Sequence, residues 1–212
     1  MVFAPFILAA LAAQPSPSLD GWKFQRKYTA KDVASYHCEL ELPNSGGSFA
    51  SDIETTVQEV TESGATVLYK ALTMTANGNP PTDGLPTLTT PVGKSGMPDK
   101  ATITNGEEFF IFLGAAGMTT SEDIAKDQVV KVHWQNEKKD IVFDGTGRLT
   151  SSDEKAGTVT VDWNLTLTPM SDPSGTMKVT SVYSTKDFSL KSSEGYIAQG
   201  QFKVKFTVKR KT

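Results

Sequence analysis

A strict period of two in hydrophobicity, repeated along the chain, most restricts what it can fold into. In Val159-Val161-Trp163-Leu165-Leu167 every second residue is apolar, with Thr160, Asp162, Asn164, Thr166 and Thr168 between them. Successive side chains of a strand point to opposite faces, so this segment has one dry face and one wet face. Phe202-Val204-Phe206-Val208 alternates with Lys203, Lys205, Thr207 and Lys209. Ala34-Tyr36-Cys38-Leu40-Leu42 alternates with Ser35, His37, Glu39 and Glu41, and Val130-Val132-Trp134 is a shorter case. Strands wet on one side belong to antiparallel sheets.

Short polar connections containing glycine join these runs. Glu62-Ser63-Gly64 separates 53–61 from 65–74, and Asp153-Glu154-Lys155-Ala156-Gly157 separates 140–150 from 158–168. Ser171-Asp172-Pro173-Ser174-Gly175 leads into 177–183. This is hairpin chemistry. The expected fold is mainly β: an antiparallel sheet of about ten strands, curled into a half-barrel or open barrel, with one or two short helices. Residues 56–74 and 146–167 share the order strand, glycine turn, strand; a duplication leaves that pattern, and so do any two hairpins.

Two segments depart from the alternation. Residues 77–99 hold Pro80, Pro81, Pro86, Pro91 and Pro98 with Gly78, Gly84, Gly93 and Gly96. Such a stretch is neither central strand nor helix, and reads as a linker or a long loop across the sheet. The other segment predicts a helix from Glu107 to about Gly117. Asn105 supplies a cap, Glu107 and Glu108 suit the positive end, and Gly114 or Gly117 can stop it. Phe109, Phe110, Phe112 and Leu113 cover more than one stripe, so this helix must be buried, for instance against a concave sheet. A second short turn is expected over 121–126, capped by Ser121. The strand 65–74 is apolar on both faces, with Val67, Tyr69 and Ala71 on one and Leu68, Leu72 and Met74 on the other. It should be covered on both sides, by the helix or by an apolar cavity.

The first thirteen residues read MVFAPFILAALAA. A short apolar run ending in small residues predicts a secretory signal peptide over 1–13, cleaved after Ala12 or Ala13. No Lys or Arg precedes it, which departs from that pattern and leaves a buried strand or helix, or a membrane anchor, as alternatives. The run is too short to span a bilayer. Residues 14–21 follow as an extended segment, and 22–212 as a single β-rich domain. Cys38 is the only cysteine, so no intramolecular disulfide can form. A chain of 212 residues buries about two-thirds to three-quarters of its unfolded surface and needs no such staple. These features suit a bacterial exported protein, periplasmic or extracellular. A formal net charge of -3 argues against nucleic-acid and anionic-membrane partners.

Catalytic signatures are not found. His37 and His133 are the only histidines. His37 adjoins Cys38, but neighbouring strand residues face opposite ways, which opposes a Cys–His dyad. No G-x-S-x-G occurs, and Gly93-Lys94-Ser95 lacks the upstream glycine and following helix of a phosphate loop. No metal site or cofactor is expected. Asp140 and Asp144-Gly145-Thr146-Gly147 read as a turn between strands rather than a calcium loop. Glu107-Glu108, Glu122-Asp123 and Asp153-Glu154 read as two helix starts and a hairpin turn.

An export signal, a large sheet in sequential hairpins, a greasy helix at 107–117 and a Pro-rich loop resemble the lipoprotein-carrier half-barrels of bacterial envelopes. The turn Gly64-Ala65-Thr66-Val67 is similar to those of exported bacterial proteins of unknown function. The likeness covers most of 22–210 as architecture, not as motif, and the chain has no clear N-terminal helix after the signal. It implies a curved sheet with a hydrophobic concave face closed by the helix and loop. The expected function is a non-catalytic envelope protein that binds an apolar or amphipathic, lipid-like ligand. Phe109, Phe110, Phe112, Leu113, Leu68 and Leu72 are the candidate lining. The alternatives are a structural or protein-interaction module with a solid core and, further off, a carboxylate-based hydrolase.

Overall fold

The computed structural model describes residues 22–42, 46–82, 84–120, 123–168, 175–200 and 202–211. The expected signal peptide, the 14–21 segment, Ser121 and the turn at 171–174 lie outside the described residues.

The chain forms β1 (Trp22–Lys23), β2 (Val33–Leu42), β3 (Gly47–Val60), β4 (Gly64–Ala76) and β5 (Thr87–Gly93). The helix α1 (Gly106–Ala116) follows, then β6 (Asp123–Ile124), β7 (Val129–Gln135) and β8 (Val142–Asp153). Last come β9 (Thr158–Thr168), β10 (Gly175–Ser184), β11 (Leu190–Gln199) and β12 (Phe202–Arg210). Ten strands make one open antiparallel sheet in the order β5-β4-β3-β2-β12-β11-β10-β9-β8-β7, as the alternation predicts. A two-stranded ribbon, β1 with β6, stands apart.

The topology is two meanders. From β2 the chain steps outward to one edge at β5. It then crosses to the opposite edge at β7, carrying α1, and steps back inward to β12. The first and last long strands meet in the middle, where Val208 pairs with Cys38 and Phe206 with Leu40. Registered neighbours form continuous rows. Gly147, Trp163, Val179, Gly195 and Phe206 run side by side across β8 to β12. The apolar phase of every strand faces one side, and there it forms a single core with α1.

Three local expectations are corrected. Residues 87–93 are not loop but edge strand: Leu88, Thr90 and Val92 are buried against β4. Proline lacks an N–H, and an edge strand has a side where none is needed. The Pro91 carbonyl still accepts a bond from the Asp99 N–H at 2.8 Å. The expected turn at 121–126 is also overturned, because Asp123 and Ile124 pair with Lys23 and Trp22. Ile124 is fully buried, and its partner lies too far away in sequence for a local pattern to show. Finally, 144–147 is strand within β8, not a turn; the turn lies before it, where the Asn136 side-chain oxygen accepts from the N–H groups of Asp140 and Ile141 at 3.1 Å each.

Strand β4 departs from simple alternation for one reason. A bulge between Asp52 and Ile53 leaves Leu72 without a partner, since Ala71 pairs with Ile53 and Thr73 with Asp52. One extra residue reverses the facing of everything beyond it. Met74 is thereby turned to the inner face and buried with Tyr69 and Ala71, not with Leu68 and Leu72.

Candidate functional site

The inner face of the half-barrel is occupied by α1. Asn105 caps it, accepting from the Glu108 N–H at 2.9 Å. Glu108 reaches back to the Thr104 N–H at 2.6 Å and to the Thr104 hydroxyl at 2.9 Å, a reciprocal cap. Gly117, at φ 67°, ends the helix by donating to the Leu113 carbonyl at 3.1 Å. Every residue from 111 to 120 is buried.

Three phenylalanines of α1 reach strands of both meanders. Phe109 lies on Phe143 of β8, ring centroids 4.5 Å apart, and parallel to Trp134 of β7 at 6.3 Å. Phe110 meets Phe49 of β3 edge-on at 4.7 Å, and Phe112 meets Tyr69 of β4 at 5.6 Å. The helix backbone also sits close on the sheet: a Cβ at Gly114 would lie 2.7 Å from Ile53 Cδ1 and 3.3 Å from Cys38 Sγ. A larger residue there would push the helix off.

The structure therefore gathers four of the six expected lining residues. Phe112 and Leu113 are buried, and Phe109 and Phe110 are half-buried against the same core. Leu68 and Leu72 do not join them. They lie on the outer face, Leu68 half-buried between Thr56 and Thr89 and Leu72 42 % exposed at the bulge. Leu72 is exposed, so β4 is not buried on both sides along its whole length.

At one end of the helix is a small chamber that sequence reasoning missed. Its walls include Arg26, Tyr28, Tyr36, Tyr69, Asp187 and Arg210, and its volume is about 60 Å³. Ala115 of α1, with Val57 and Val67, completes it. The Arg26 Nη2 donates to the Ala116 carbonyl, while its Nε is buried without a hydrogen-bond partner. The guanidinium packs on Gly96, where a Cβ would come within 2.5 Å of Nε. Asp187 is tied to Ser189, accepting from its N–H at 3.0 Å and its hydroxyl at 2.8 Å. Burial pushes up the carboxyl of Asp187, but these bonds outweigh it and hold the group below the usual carboxylate range. A signal for the chamber exists in the sequence. Phe24, Arg26 and Tyr28 occupy the inward phase of a period of two whose outward phase is Gln25 and Lys27, so a cation stands where an apolar residue belongs.

The outer face carries the remaining polar chemistry. Cys38 is fully buried inside, and burial pushes its thiol up to about 12. His37 is on the other side, with Nδ1 2.7 Å from Asp52 and Nε2 3.0 Å from Glu39. Lys211 Nζ lies 2.7 Å from the same Asp52 oxygen. His133 pairs with Asp144, at 2.9 Å. An open groove of about 720 Å³ runs over β8 to β12 and includes Asp162, Glu194 and Tyr196. Among the described residues no group of three His, Cys, Asp or Glu side chains could hold a metal ion, and no helix is long and apolar enough to cross a membrane.

No family model, no curated protein and no solved structure matches the chain.

Proposed function

We propose that this chain is an exported envelope protein that holds an apolar or amphipathic, lipid-like ligand in its half-barrel, without transforming it. The carrying observation is the character of α1. Beyond its acidic first turn it is apolar on every side, it fills the inner face through Phe109, Phe110 and Phe112, and within the sheet each strand already has its ladder partners. The backbone network of the sheet is complete without the helix. Apart from the Arg26 hydrogen bond to the Ala116 carbonyl, what binds α1 there is apolar burial at about 25 cal/mol per Å², which an acyl chain supplies equally well. In this reading α1 is a plug that a ligand displaces.

A second reading, a structural or protein-interaction module, is favoured by a different observation: the inner face is packed, and the chamber beside α1 measures only about 60 Å³.

Native mass spectrometry on the protein purified from a membrane-containing host, followed by organic extraction, separates the two. Lipid released from the folded protein supports the carrier, and Phe112→Asp should remove it. A clean protein mass that stays clean after incubation with lipid vesicles would sink the carrier and leave the module.

A further inference from the structure

We infer that the chamber around Arg26 is a binding site for a carboxylate group. A guanidinium is permanently charged, and burying one is costly unless an anion accompanies it. Arg26 has its Nε buried without a hydrogen-bond partner and, among the described residues, no ion-pair partner. The groups around it are phenols. Burial raises Tyr28, Tyr36 and Tyr69 above the usual tyrosine range, so all three are neutral at pH 7 and none offsets the charge. Lys27 and Asp32 at the rim are exposed, which leaves Arg26 and Arg210 facing Asp187 alone among the covered charges of the chamber wall. The wall is thus one negative charge short, and Asp187 is already committed to Ser189.

The size and donors of the chamber fit the missing group. About 60 Å³ holds a carboxylate group or about two waters. The planar fork of arginine matches a carboxylate with two parallel bonds. The Tyr28 hydroxyl already donates to the Gly93 carbonyl at 3.2 Å, so the hydroxyls of Tyr36 and Tyr69 are the ones that can donate to the remaining lone pairs. The carboxylate has two possible sources: a free short-chain acid, or the head of a fatty acid whose chain takes the place of α1 beyond Ala115. Only the second rests on the lipid-binding reading above.

The chain has three arginines, Arg26, Arg148 and Arg210, so arginine labelled with ¹⁵N gives three Nε–H signals. The Arg26 signal is assigned by its loss in Arg26→Lys and by slow solvent exchange. In chloride-free buffer at constant ionic strength, formate should shift this signal saturably and leave that of Arg148 in place. Tyr69→Phe keeps the ring and should weaken formate binding roughly two- to tenfold. If Arg26→Lys does not fold, Tyr69→Phe and the exchange rates still identify the signal. Decanoate is the second arm. A decanoate shift that also moves the α1 amides identifies a fatty-acid head. A response to formate alone identifies a small-acid site and counts against the lipid reading without touching this one. An Arg26 signal that neither acid moves overturns the inference.

Discussion

The indole ring of Trp163 lies flat over the backbone of Gly147: a Cβ at Gly147 would stand 2.3 Å from Trp163 Cζ3. The two are registered partners on β8 and β9, and Trp163 is 2 % exposed. Gly147→Ala should therefore destabilise the protein by about 1–3 kcal/mol through overpacking. Gly106→Ala, at the open start of α1 where a Cβ meets nothing within 4 Å, is the control and should be neutral or slightly stabilising. Urea unfolding curves of the two variants check this. Equal midpoints would show that the ring can move.

Asn105→Ala should cost about 1 kcal/mol, because it removes the acceptor for the Glu108 N–H. The loss should be local, since the cap lies at the exposed mouth and not in the sheet. Hydrogen exchange should show faster exchange in the first turn of α1 with β2 and β12 unchanged. Uniform acceleration everywhere would mean that helix and sheet open as one unit.

Much of the sheet was legible because period-two alternation and glycine turns are local signals. β9 needed only Val159 to Leu167 to be read. The failures were all non-local. Leu72 sits on a bulge defined by β3, so Met74 was read onto the wrong face. β6 exists only because it meets β1, far away in the sequence. Thr87 to Gly93 carries a proline that a central strand would reject, and nothing in the segment says that it ends up at an edge. For the site, the greasy face of α1 was readable, but its contact with both β4 and β8 was not. Arg26 was overlooked because a single cation on an inward phase looks like surface until the burial is known.

His37 makes stability depend on pH. Its hydrogen bond to Asp52, then that to Glu39, holds its pKa above the usual value. The protonated form is favoured in the folded state, so its contribution is fully present below about pH 6.5 and is lost as pH rises through the raised value. Asp52 acts in the opposite range. Its burial raises its pKa, but Lys211 and His37 outweigh that and lower it, so its contribution is present above about pH 4 and fades as pH falls. The His37 side chain is 39 % exposed, so screening keeps its effect under about 1 kcal/mol. The gap in unfolding free energy between the protein and His37→Gln should be widest between about pH 5 and 6 and should close by about pH 9. A gap independent of pH would assign His37 a packing role instead.

Cys38 reports on the plug. Its Sγ lies beneath Gly114 of α1, and burial pushes the thiol up to about 12, so it is neither accessible nor ionised in the folded protein. It is also the only cysteine, which makes labelling unambiguous. Ellman's reagent should not react with the native protein on the timescale at which it labels the urea-unfolded chain. If α1 is displaced by a lipid, decanoate or phospholipid vesicles should raise the labelling rate while the β signal in far-ultraviolet circular dichroism stays intact. The sheet keeps its ladders in that state; only the helix leaves. Labelling that rises only together with loss of the β signal, and that lipid does not change, would show that α1 and the sheet form one inseparable core, and the carrier reading would give way to the module.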